Sequence, residues 1–91
     1  MKIAICEDEK NIAKKLLSCV EGFMKTTKTL FSVDVFLCGQ DFLNAEGVYD
    51  LLLLDFQLPD IGGMDIAKRL RKEKKETTII FVTAYADYVY E

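Results

Sequence analysis

The chain has 91 residues, 51% of them hydrophobic and 30% charged, with a formal net charge of -3 at pH 7. That length predicts a single domain, residues 1–91, near the small end of what sustains a core, and the acidic balance excludes a general nucleic-acid surface, which needs clustered positive charge. No run of roughly 18 apolar residues is present to cross a membrane, and the opening "MKIAIC" meets acids too soon for a signal peptide, so a cytoplasmic location is expected.

Residues 2–6, "KIAIC", are a short apolar run suited to a buried strand, and they end on "EDE". From Asn11 onward Ile12, Leu16, Leu17, Val20, Phe23 and Met24 recur at steps of three and four, an amphipathic helical face with Lys14, Lys15 and Glu21 off it. "FSVDVF", Phe31 to Phe36, alternates around Ser32 and Asp34 and reads as a strand with one wetter side at a sheet edge. A short helix through Gln40 to Ala45 follows and ends at Gly47.

"DLLLLD", Asp50 to Asp55, does not alternate, which is what a central strand covered on both faces by helices requires. Pro59, Asp60, Gly62 and Gly63 form a loop, and Met64, Ile66, Ala67 and Leu70 mark a further helix to about Lys75. Its basic end, "KRLRKEKK", complements the helix dipole and reads as a solvated terminus rather than a binding patch. "TTIIFVT", Thr77 to Thr83, is a β-branched strand, and "AYADYVYE" can open another helix. Strands alternating with helices and no hairpin signals predict a parallel α/β sheet with right-handed crossovers. Cys6, Cys19 and Cys38, without a histidine in the chain, support neither a disulfide framework nor a zinc site and read as reduced, mostly buried thiols.

Ligands of an open parallel sheet bind beyond the carboxyl ends of its strands. The residues there are Glu7 and Asp8 after the first strand, Asp55 after the third and Thr83 at the end of the fourth. If the first and third strands are neighbours, three carboxylates converge, repulsion and burial push at least one pKa upward, and the cluster calls for a hard cation, best Mg2+. A cation that neutralises phosphate charge lets one carboxylate oxygen, that of Asp55, attack phosphorus, with the Thr83 hydroxyl donating to a phosphoryl oxygen. Each residue alone has a plainer reading: Glu7 and Asp8 as a turn or helix start, Asp55 as a loop cap, Thr83 as a strand end. The combination at three strand ends is what points to chemistry.

In these motifs the sequence resembles the receiver domain of two-component response regulators over essentially its whole length. "ICEDE" is similar to the family's acidic pair, and "LLLLDFQLPDIGGMD" to its phosphorylation loop. The resemblance implies Asp55 as phosphoacceptor, Gln57 as a metal ligand through its backbone carbonyl, Pro59 in the turn and Gly63 before the third helix. "FVTAY" resembles the strand carrying the family's hydroxyl, Thr83, and "FVTAYADY" is most similar to receivers joined to a LytTR-type DNA-binding output domain. The implied fold is flavodoxin-like with strand order 2-1-3-4 for the part present, an order for which receivers are a standing example. The implied function is acceptance of a phosphoryl group from a sensor histidine kinase with Mg2+, relayed to an output domain.

The family's fifth strand and helix, with the lysine that pairs with the phosphoryl group, have no counterpart after "AYADYVYE", and Tyr85, Tyr88 and Tyr90 do not replace the aromatic of that strand. The expectation is therefore a C-terminally incomplete receiver that reacts poorly and self-associates through the exposed fourth strand or an exchanged last helix. Two other classes stay open. One is a pseudo-receiver serving only as an interaction surface; the other is a Mg2+-dependent aspartyl phosphohydrolase, disfavoured because Gln57 cannot act as a general acid two residues after Asp55.

Overall fold

A computed structural model describes residues 1–45, 47–73 and 75–82. The elements run β1 (Lys2–Cys6), α1 (Lys10–Thr27), β2 (Ser32–Phe36), α2 (Gly39–Asn44), β3 (Leu51–Asp55), α3 (Gly63–Lys72) and β4 (Thr78–Val82). The strands form one parallel sheet, as the alternation of strand and helix requires, in the order β2-β1-β3-β4 that the resemblance implied. Among the described residues no helix is long and apolar enough to cross a membrane.

The register sets the site. Ile3 to Cys6 pair with Leu51 to Leu54 in parallel, so the next residue of each strand, Glu7 and Asp55, emerges side by side at one rim. The Glu7 N–H continues the ladder to the Phe36 carbonyl at 3.0 Å, and the Phe56 N–H reaches the Val82 carbonyl at 3.3 Å. Both strand tips are thus held on their outer sides as well.

The two faces of β3 are not equally covered. Leu52 and Leu54 are fully buried with Ala4, Cys6, Phe42, Tyr49, Ile66 and Leu70, the core shared with α2 and α3, and each leucine contributes about 2 kcal/mol by leaving water. Leu51 and Leu53 face the α1 side and are only half-buried. There they line an apolar depression of about 400 Å³ with Leu16, Val20 and Phe23. Coverage of the leucine run on both faces, expected from its lack of alternation, therefore holds tightly on one face only.

Several local expectations change. Of the expected α1 face, Ile12, Leu16, Leu17, Val20 and Met24 are only half-buried and Phe23 is 57% exposed and stacks on Phe31, while the buried residue of the helix, Ala13, was not among them. In β2 neither side is clearly the wetter: Ser32 and Val35, on opposite sides, are exposed, while Val33 is half-buried and Asp34 is half-buried and accepts a 2.7 Å hydrogen bond from the Tyr49 hydroxyl. Met64 of α3 is exposed. Only Cys6 of the three thiols is buried; Cys19 is exposed and Cys38 intermediate. α3 stops at Lys72, short of Lys75, and its basic end is solvated, with Arg69 bridging Glu73 at 3.2 Å. α2 spans Gly39–Asn44, with Ala45 as its C-cap.

Candidate functional site

At the carboxyl rim of the sheet, one carboxylate oxygen from each of Glu7, Asp8 and Asp55 lies within 4.8 Å of the others. They border an open depression of about 410 Å³ that Glu9, Gln57, Leu58 and Pro59 also line. Glu7 is 2% exposed and Asp55 9%, whereas Asp8 stands at the mouth in solvent. Two acids are therefore held in the floor by their strands.

Three like charges so placed resist ionisation. Burial, reinforced by the negative charge of Asp55, pushes the Glu7 carboxyl up to about 7, although the Glu9 N–H donates to its Oε1 at 3.1 Å and works the other way. Asp55 is raised as well, first by burial and then by the charge of Asp8, against a 3.2 Å bond from the Gln57 N–H to its Oδ1. Oε2 of Glu7 is buried and has no hydrogen-bond partner among the described residues, an arrangement that costs free energy unless something positive meets it. Converging oxygens without histidine or thiolate form the donor set of a hard divalent cation. The residues present fit such an ion.

The loop after β3 is held at both ends. A Cβ added to Gly63 would lie 2.5 Å from the Asp55 carbonyl oxygen and 3.1 Å from Phe56 Cα. The first residue of α3 is therefore in backbone contact with the tip of β3, which only glycine permits. The Gly63 N–H also donates to the Phe56 carbonyl at 3.1 Å. Gln57, expected as a metal ligand through its carbonyl, lines the depression. Thr83, the expected hydroxyl, lies outside the described residues.

Sequence reasoning gave Asp60 only a place in the loop after β3, yet its carboxylate accepts hydrogen bonds from the N–H groups of Gly39 (2.9 Å), Gln40 (2.8 Å) and Ile61 (2.9 Å). These donors hold its carboxyl below the usual range. An aspartate after proline signals a local turn; nothing local says that it caps a helix begun some twenty residues earlier in the chain.

Comparison with known proteins identifies the family and the fold. The family model described as "Response regulator receiver domain" matches residues 3–91. Over 86 residues the chain is 38% identical to the transcriptional regulatory protein DltR of Streptococcus agalactiae serotype III (strain NEM316), a match covering 92% of this chain and 36% of DltR. The chain thus spans about a third of the length of the curated relatives it matches. The BeF3-activated receiver domain of DrrB is 36% identical with a TM-score of 0.79, over 96% of this chain and 68% of that one; DrrB is a Thermotoga maritima OmpR/PhoB homolog. TrrA of Thermotoga maritima, solved in complex with Mg(2+)-BeF, is 32% identical with a TM-score of 0.80, over 99% of this chain and 75% of that one. TrrA has also been solved in complex with the histidine kinase ThkA. By family model, sequence relatives and structural neighbours alike, the chain belongs to the response regulator receiver domain family of two-component signalling.

Proposed function

We propose that Asp55 is the phosphoacceptor of a cytoplasmic response regulator, taking its phosphoryl group from a sensor histidine kinase. The observation that carries this reading is the convergence of Glu7, Asp8 and Asp55 within 4.8 Å at the tips of β1 and β3. In the transfer, one Asp55 carboxylate oxygen forms the new bond to phosphorus as the bond from phosphorus to the kinase histidine breaks. Glu7, Asp8, Asp55 and the Gln57 carbonyl would hold Mg2+, as the TrrA complex with Mg(2+)-BeF supports. When bound, the ion supplies charge neutralisation at the phosphoryl oxygens.

The chain's own residues prepare the rest. β3 anchors Asp55 through Leu52 and Leu54, both fully buried, so the acceptor is held rather than tethered. The Gln57 N–H on Oδ1 orients the carboxylate. Thr83 follows β4 directly, and its hydroxyl is our candidate donor to the phosphoryl group. The kinase as partner is supported by the ThkA complex of TrrA. The similarity to DrrB favours an output domain of the OmpR/PhoB class over the LytTR type suggested by "FVTAYADY". Self-association through β4 is supported by Ile80 and Phe81, exposed at 49% and 41% on the outermost strand of the described sheet.

The test is intact-mass measurement after incubation with Mg2+ and acetyl phosphate. A single phosphoryl adduct, lost in Asp55→Asn, is expected. Multiple turnover of a phosphate ester would replace this reading with a hydrolase, and the absence of any adduct, from acetyl phosphate or a kinase, would leave an interaction module.

A further inference from the structure

The span between Asp55 and Gly63 carries Gln57, Leu58 and Pro59, which form a wall of the carboxylate depression. Its first part is tied by the Gln57 N–H on Asp55, and its two ends by the Gly63 N–H on the Phe56 carbonyl. The middle of the span has a different kind of tie. Oδ1 of Asp60 accepts from Gly39 and Ile61 and Oδ2 from Gln40, so one carboxylate fastens the loop to the start of α2 across the fold.

α2 depends on this bond. It has six residues, and its own N-cap position, Cys38, makes no side-chain capping bond. The donors left open at a helix start need acceptors, and here they come from another loop. The seat is close-fitting, since a Cβ on Gly39 would run into the side chains of Ile61 and Ile66. A charged acceptor with three N–H donors is stronger than a neutral cap, in keeping with the lowered Asp60 carboxyl.

We propose that Asp60 is a positioning residue for the phosphoacceptor loop: by clamping its middle to α2 it keeps Gln57 in place on the wall of the depression, where the cation and the phosphoryl group have to fit. The proposal rests on the phosphoacceptor reading of Asp55. It adds that the cap does not only stabilise α2; the free energy of the cap is used to fix the loop.

The test compares wild type with Asp60→Ala, Asp60→Asn and a control, Thr77→Val, which removes the buried 2.7 Å bond from the Thr77 hydroxyl to the Tyr49 carbonyl at the opposite end of β3. Three quantities are read on each: amide exchange of Gln57 by NMR without metal, Mg2+ affinity by titration of the metal alone, and the rate of adduct formation from acetyl phosphate at limiting and saturating Mg2+. In Asp60→Ala, Gln57 exchange is expected to rise roughly tenfold and Mg2+ affinity to fall about tenfold, as for loss of a group that orients a ligand. The rate deficit should be largest at limiting Mg2+. Asp60→Asn, which keeps one oxygen for Gly39 and Ile61, should recover part of each, whereas Thr77→Val should lower the melting temperature and leave all three unchanged. If Asp60→Ala behaves as Thr77→Val does, less stable but with wild-type Gln57 exchange and Mg2+ affinity, Asp60 is only a helix cap and the proposal is overturned. A wild type that binds Mg2+ but forms no adduct would remove the phosphoacceptor reading alone, because Gln57 exchange decides the clamp without phosphorylation.

Discussion

Replacing Glu7 by glutamine tests the electrostatic account of the site. Glu7 is 2% exposed, its Oε2 has no partner among the described residues, and its carboxyl is pushed from an ordinary 4.5 up to about 7 by burial and by Asp55. Between those pH values the folded chain keeps a proton that the unfolded chain has released. Folded molecules thus bind more protons, and stability falls as pH rises through this window, reaching its full loss above about 7. At 1.36 kcal/mol per pH unit the displacement corresponds to about 3 kcal/mol; with Asp8 at the solvent-filled mouth, screening reduces this to about 2 kcal/mol. Glutamine keeps the oxygen that accepts from the Glu9 N–H and carries no charge. Glu7→Gln should match wild type near pH 4.5 and exceed it by about 2 kcal/mol at pH 8, a difference of roughly 10 °C in melting temperature for a domain of this size. Urea unfolding followed by circular dichroism at several pH values, in chelator, measures this. Mg2+ at a hundredfold excess over its dissociation constant should then stabilise wild type by about 2.7 kcal/mol and the variant by much less. A wild-type stability that is flat or rising between pH 5 and 8 without divalent cation, or pH curves that run parallel for the two proteins, would refute the reasoning.

Asp55→Asn should let the Glu7 carboxyl titrate at lower pH than in wild type, because the Asp55 charge is one of the forces raising it; carboxyl carbon NMR reads the midpoint. Gly63→Ala places a methyl 2.5 Å from the Asp55 carbonyl oxygen, against backbone that cannot rotate away. It should cost about 2–3 kcal/mol in urea unfolding and slow adduct formation on Asp55. Thiol labelling at pH 8 should modify the exposed Cys19 first, then Cys38, and reach Cys6 only on unfolding, since burial raises that thiol to about 12; rapid labelling of Cys6 in the folded chain would contradict its place in the core. Lys28, the C-cap of α1, holds a left-handed φ of 56°, so Lys28→Gly should raise stability by about 0.5–1 kcal/mol in thermal unfolding.

The strand and helix order was legible because hydrophobic period is a local property: "KIAIC" and "LLLLD" read as short buried strands, the first running into Glu7 and the second ending on Asp55. The convergence of Glu7, Asp8 and Asp55 followed once β1 and β3 were taken as neighbours, and that neighbourhood came from the family resemblance rather than from periodicity. Burial by side chain was much less legible. Phe23 and Met64 sit in apolar positions of their helices yet are exposed, and Asp34 in β2 is drawn inward by the Tyr49 hydroxyl. Pattern alone does not say how far the neighbouring layer reaches, nor which hydroxyl lies across from an acid.

By itself, the order of residues determined which segments become strands, that the sheet is parallel, and that carboxylates stand at strand tips, because these depend on side-chain period and on the chain length between strands. Only the tertiary structure decided the register that sets Glu7 beside Asp55, the unequal cover on the two faces of β3, the raised carboxyl of Glu7 and the capping of α2 by Asp60. The physical reason is that hydrogen-bond partners and dielectric environment belong to groups close in space, and the pairs that matter here, such as Asp60 with Gln40 and Glu7 with Asp55, are distant in the chain.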